Sequence, residues 1–240
     1  SCQQFFENIF GNFFETPERN EEKDKLLNKN AESEIHEQPG PIITIAREFG
    51  SGGREIGIKV AEKLNYKFYD KEELVKNAKE NGIDRALFEQ LNEKSMDSFW
   101  FKLSPLAYDM PKDVDSYEQK VSNDKMFMIQ SDVIRNIAKK GNAVFVGRCA
   151  SYILKGSAKK VFIMASLDDR VKRVEKRYKL NESNALALIE SADEKREKYY
   201  DYYTNTKWNA PENYDLVIDV SETGIDGAVD KIVELMKEDN

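Results

Sequence analysis

The densest run of chemistry-bearing residues is Arg47-Glu48-Phe49-Gly50-Ser51-Gly52-Gly53-Arg54-Glu55. It follows a short apolar run and opens a helical pattern. Glycines let successive backbone N–H groups converge, and a helix starting there adds its positive end. The chemistry such a loop offers is capture of a phosphate-like anion. The common phosphate loop reads G-x-x-x-x-G-K-[ST]. Here Glu48 stands at the first glycine, Gly53 at the second, Arg54 at the lysine and Glu55 at the hydroxyl residue. Arginine can still grip phosphate with its two-pronged head. Glu55 removes the hydroxyl that would touch a metal ion, which leaves either Ser51 or Glu55 itself for that contact.

Further charged residues fall where such a site would need them. Arg148 follows a strand-like run, at the edge where open α/β sheets place ligands. Asp70 ends another strand-like run and faces the same edge. Asp193 and Arg196 lie at i, i+3 on a charged helical stretch, the spacing of a surface ion pair or of a ligand grip. Arg170, Arg173 and Arg177 share a second charged helix. They form either a solvated face or a set of cations for a charged transition state. Tyr199, Tyr200, Tyr202, Tyr203 and Trp208 read as core, with one ring available to stack on a base.

Other chemistries are excluded by composition. The single histidine, His36, rules out Ser-His-Asp catalysis and multi-histidine metal sites. Cys2 and Cys149 are far apart, so neither a disulfide framework nor a cysteine zinc site follows, which fits a reducing cytoplasm. Cys149 reads as a small buried residue. With 44 acidic and 37 basic residues the net charge is −7, which argues against nucleic acid as the partner. No apolar run is long enough to span a membrane.

The elements that must position these residues alternate between strand and helix. Strands are expected at Ile42–Ala46, Lys67–Tyr69, Ala143–Gly147, Lys160–Ala165 and Leu216–Val220. Helices are expected at about Arg54–Leu64, Leu167–Lys179, Glu182–Tyr203 and Asp226–Lys237. A helical stretch with proline breaks at Ser104-Pro105 and Met110-Pro111 covers Lys71 to Lys140. Short apolar strands separated by helices indicate an α/β fold with a five-stranded parallel sheet flanked by helices. Residues 1–40 stand apart. Phe5, Phe6, Ile9, Phe10, Phe13 and Phe14 would line one helical face, followed by a polar linker. That face either docks on the protein's own body or a second subunit, as in a homodimer, or hooks a partner protein.

Ile42 to Gly57 (IITIAREFGSGGREIG) resembles the opening of the cytidylate kinase-like family, a branch of the P-loop nucleoside monophosphate kinases. Three later segments resemble the family in the same order. They are Tyr66 to Lys71, Gly141 to Leu154 (GNAVFVGRCASYIL), and Asp193 to Val220. The resemblance implies a P-loop kinase fold over residues 41–240, with a helical monophosphate-binding insertion at about 71–140 and a lid at about 179–192. It implies transfer of the ATP terminal phosphate, with Mg²⁺, to a nucleoside monophosphate, CMP or dCMP first. Phe49, Gly50, Ser51, Gly52, Gly53, Arg54 and Glu55 would then hold the donor. Arg47, Asp70, Arg148, Asp193 and Arg196 would hold the acceptor. Arg54, Arg148, Arg170 and Arg173 would neutralise the moving phosphoryl group, with Arg177 nearby. Cys149 stands where cytidylate kinases carry an aspartate after Gly-Arg. Ile189 stands where they carry an arginine four residues before the Asp-x-x-Arg pair. These departures, with Glu55, also fit a domain that binds a phosphorylated ligand without transferring phosphate.

Overall fold

The computed structural model describes residues 40–80 and 117–237. The aromatic N-terminal stretch, its linker and the proline breaks of the insertion lie outside the described residues.

Strand β1 (Ile42–Arg47) carries five buried residues in succession and is the centre of the sheet. A central strand of a parallel sheet is covered on both faces, so it must be apolar on both. Ile43 and Ile45 serve one face, Ile42 and Ala46 the other. Strands β2 (Lys67–Tyr69), β3 (Ala143–Val146), β4 (Lys159–Met164) and β5 (Leu216–Asp219) complete it in the order β2-β3-β1-β4-β5. Every pairing is parallel, with Ile45 opposite Val146 in β3 and Val161 in β4. The five-stranded parallel sheet expected from the sequence is therefore present. Its carboxyl edge collects the residues that follow Arg47, Tyr69, Val146, Met164 and Asp219.

Helices α1 (Gly53–Leu64) and α7 (Val220–Leu235) cover one face, bringing Ile56, Val60, Val229 and Ile232 onto Ile43, Ile45 and Ile163. Helices α2 (Lys71–Glu80), α3 (Tyr117–Ala138), α4 (Ala150–Ile153) and α6 (Glu182–Thr204) contribute to the opposite cluster, around Phe145 and Phe162. Helix α5 (Leu167–Tyr178) packs with α6 around a third, smaller cluster. Of the segment 179–192, residues 179–181 join these two helices and 182–192 form the first half of α6. Lys179 ends α5 in the left-handed region and the Asn181 side chain caps α6.

Helix α7 begins earlier than its expected start at Asp226. The Asp219 carboxylate accepts the Ser221 N–H at 2.9 Å and starts a turn that breaks at Gly224 (φ 68°, ψ 173°) before the helix resumes. The sequence pattern registers only the long segment after the break. Among the described residues no helix is long and apolar enough to cross a membrane.

Helix α1 lies close enough to the sheet that only glycine fits at position 57. A methyl group there would stand 2.7 Å from Val146 Cγ2 and 3.2 Å from the Phe68 ring. Gly57→Ala should therefore cost about 1–3 kcal/mol through overpacking, despite alanine's better helix propensity. Urea denaturation of the two proteins measures this; an unchanged or higher midpoint would contradict the close approach.

Candidate active site

The loop after β1 turns sharply into α1. Gly50 (φ 81°) and Gly52 (φ 90°) take left-handed conformations, and Gly52 caps the helix. Gly52 has a second reason to be glycine. Any side chain there would collide with Nη1 of Arg173 and with Ile225. The loop is closed internally by Ser51, whose hydroxyl donates to the Glu48 carbonyl at 2.9 Å and whose residue is wholly buried. Ser51, expected as one of two metal contacts, thus has its hydroxyl proton engaged in holding the turn. Glu55 is exposed on the first turn of α1, with its carboxylate 3.8 Å from Lys59.

The residues before the glycines are gripped from the α5–α6 side. Phe49 is buried against Val174, Ala185, Ile189 and Ala192. Ile189, at the position where the sequence comparison anticipates an arginine, is thus a wall of the Phe49 pocket. Arg170, 8% exposed, donates from Nε to the Phe49 carbonyl at 2.8 Å. Its other nitrogens meet the carboxylates of Asp193 and, at 3.5 Å, Glu48. Asp193 in turn accepts the Phe49 N–H at 2.7 Å. Arg196 donates to Asp193 at 3.3 Å and to the Arg47 carbonyl at 3.2 Å, and its head lies 5.3 Å from the Phe49 ring centre. Asp193, Arg196 and Arg170, expected at the acceptor and the moving phosphoryl group, here form the brace of the loop.

Glu48 takes the Ala165 N–H at 3.1 Å. Burial nevertheless outweighs that bond and the Arg170 charge, and holds its carboxyl above the usual carboxylate value.

A second group of cations gathers over β2, β3 and β1. Arg54 points away from the glycines, with Nε 2.7 Å from the Asp70 carboxylate and its head stacked 5.7 Å from the Phe68 ring centre. Asp70 also accepts the Glu72 and Glu73 N–H groups, which starts α2. Arg47 lays its stem on Gly53 and its guanidinium against Gly147. Arg148 lies beyond, on a turn where Gly147, Arg148 and Cys149 have φ of 79°, 58° and 55°. Its head rests 5.7 Å from the Tyr199 ring centre. Its Nε is buried without a hydrogen-bond partner among the described residues, and so is Nη1 of Arg173. Burial, then the Arg148 charge, lowers Lys71 to about 8. Cys149 is pushed up to about 12 by burial, so its thiol is inert at neutral pH. Arg177 stays at the surface beside Tyr178.

Arg173 Nη1 over Gly52 and Arg148 Nε on the turn after β3 are thus two guanidinium nitrogens buried without a hydrogen-bond partner among the described residues. The model of the cytidylate kinase-like family matches residues 42–222. The chain belongs to that family. It is 33% identical over 88 residues to the cytidylate kinase of Methanothrix thermoacetophila, covering 37% of this chain and 51% of that protein. It is 27% identical over 192 residues to the cytidylate kinase of Methanocaldococcus jannaschii, covering 78% of this chain and 92% of that one. The chain thus spans about half of the first relative and most of the second. A crystal structure of an uncharacterised protein from Eubacterium ventriosum matches with a TM-score of 0.58 and 26% identity, over 82% of this chain and 98% of that one.

In this family member, three contributors to the site are missed by the one-dimensional pattern. Glu48 reads as a mismatch to the phosphate loop, yet it is the carboxylate that ties the loop to β4. Lys71 follows Asp70 at a strand end, a position that could have marked it. Gln130, in the middle of α3, has nothing to mark it.

Removing the guanidinium of Arg170 would strand two carboxylates and a carbonyl. Arg170→Ala should cost about 3–5 kcal/mol, the range for breaking a buried pair, and should also weaken anion binding. Chemical denaturation with calorimetric titration of pyrophosphate checks both; a variant of wild-type stability would refute the brace. Glu48 supplies a pH signature. Its raised value means that the folded state holds the proton more tightly than the unfolded chain. Its stabilising share is then complete below about 4.5 and lost as pH rises through the folded value. Glu48→Gln should flatten the part of the stability profile just above the ordinary glutamate value, followed by urea midpoints of both proteins; parallel profiles would count against it.

Proposed function

We propose that the protein is a nucleotide kinase that moves the terminal phosphoryl group of ATP to a nucleoside monophosphate, with CMP or dCMP as first choice. The single observation that carries the reading is the pair of guanidinium nitrogens, Arg148 Nε and Arg173 Nη1, buried without a hydrogen-bond partner among the described residues, the second of them over Gly52. A buried donor without an acceptor is costly, and a bound anion would offset that cost at both.

The loop from Phe49 to Glu55 and Arg173 would hold the donor phosphates, with the Arg173 head lying over Gly52. Arg148, with Arg47, Lys71 and the Arg54–Asp70 pair, would hold the acceptor monophosphate. Asp193, Arg196 and Arg170 would fix the backbone of Arg47 and Phe49, so that the loop amides keep one geometry through the reaction. Transfer needs positioning and charge neutralisation far more than covalent help. Mg²⁺ would enter with the triphosphate and would supply charge neutralisation there. Exposed Glu55 is the loop carboxylate able to reach it. Among the described residues no cluster of three or more acidic, histidine or cysteine side chains forms a metal cage, which suits a metal carried by the nucleotide.

A second reading has its own support. Arg54 is paired with Asp70 and the Ser51 hydroxyl is closed into the loop, so two groups of the usual phosphate loop are engaged elsewhere. That favours a domain that binds a phosphorylated ligand with little or no turnover, as a sensor or a partner-binding module.

Incubation with ATP, Mg²⁺ and a panel of nucleoside monophosphates separates the two. The kinase reading expects transfer, with Arg173→Ala lowering kcat and Arg148→Ala raising the acceptor KM, each by about 10²-fold. Ligand binding in the calorimeter without turnover of any acceptor would overturn it in favour of the second.

A further inference from the structure

The turn that carries Arg148 is the most unusual stretch of backbone in the described chain. Gly147, Arg148 and Cys149 all lie in the left-handed region, with φ of 79°, 58° and 55°. Two successive side-chain-bearing residues in that region need support from outside. Backbone bonds hold the flanks. The Gly147 N–H donates to the Ile45 carbonyl at 2.9 Å, and the Tyr152 and Ile153 N–H groups donate to the Cys149 carbonyl. The middle peptide is held from another element. Gln130 of α3, 8% exposed, donates its Nε2–H to the Arg148 carbonyl at 3.1 Å. The same nitrogen lies 3.4 Å from the Tyr199 hydroxyl. The Tyr199 ring is the surface on which the Arg148 head rests. One buried amide thus touches the backbone of the arginine and the ring beneath its guanidinium.

We propose that Gln130 is a positioning residue that aims Arg148 at the acceptor phosphate. This rests on the reading that Arg148 binds that phosphate. The chemistry suits an amide. A carboxylate there would draw the guanidinium onto itself and cancel the charge the ligand needs, and an apolar side chain would leave the carbonyl without this bond. Among the described residues no acceptor reaches the Arg148 Nε, whose guanidinium rests on the Tyr199 ring.

Gln130→Met, of similar length and without a donor, is the test, with Arg148→Ala and the double variant. The acceptor KM should rise at least tenfold with Gln130→Met, while the KM for ATP stays within twofold and the melting temperature falls by only a few degrees, leaving the protein folded at the assay temperature. The double variant should be no worse than Arg148→Ala alone. An acceptor KM within twofold of wild type, equal rises in both KM values, or effects that multiply in the double variant would each overturn the proposal. A readout free of turnover keeps it separate from the kinase reading. The ¹H–¹⁵N signal of Arg148 Nε, assigned by its loss in Arg148→Ala, should shift or broaden in Gln130→Met. It should also respond less to added inorganic phosphate. An identical signal in both proteins would reject the positioning role even if the enzyme is active. A changed signal in a protein that turns over no acceptor would uphold it and reject only the activity.

Discussion

A guanidinium, two carboxylates and two peptide groups lock the strand-to-helix loop to the α5–α6 pair. Arg170 takes the Phe49 carbonyl and the carboxylates of Glu48 and Asp193, while Asp193 takes the Phe49 N–H. Buried charges of this kind are poor sources of net stability and good sources of geometric definition. Each member is satisfied by the others, so the loop has one low-energy path across the sheet edge. Everything described around it depends on that path. It sets where the Gly50–Gly53 amides point, where Arg173 can lie over Gly52, and how Arg47 is turned toward Gly147.

The sheet supplies the frame in which this matters. With β3 and β4 on either side of β1, successive connections leave in opposite directions, and the carboxyl edge opens a crevice there. The glycine loop rises from β1, Arg148 from β3 and the Glu48 anchor from β4. No strand needs to be long to do this. Four to six residues suffice when both faces are apolar, and β1 shows the pattern with Ile43 and Ile45 alternating against Ile42 and Ala46.

That pattern explains why the fold was legible in the chain. Apolar, β-branched runs between amphipathic helices leave few alternatives, and the strands lie within a residue or so of their expected limits. The site was legible in kind and less so in detail. The glycine loop and Arg148 stand out because their local sequence is unusual. The partners of Asp193 and Arg196 do not, since an i, i+3 pair looks the same on a solvated face as beneath a loop 144 residues away in sequence. Arg54 is similar. Its position names a phosphate ligand, and only the nearness of Asp70 turns its head sideways. Side-chain direction is a tertiary property, so spacing alone cannot supply it.

The brace has a thermodynamic corollary. Helix α6 holds the loop through Asp193 and Arg196, which bond the backbone of Phe49 and Arg47. A ligand that draws either side chain away loosens the loop, and a ligand that tightens the loop steadies α6. Linkage makes such an influence reciprocal. Whatever factor one occupant of the crevice imposed on a neighbour's affinity would be returned undiminished.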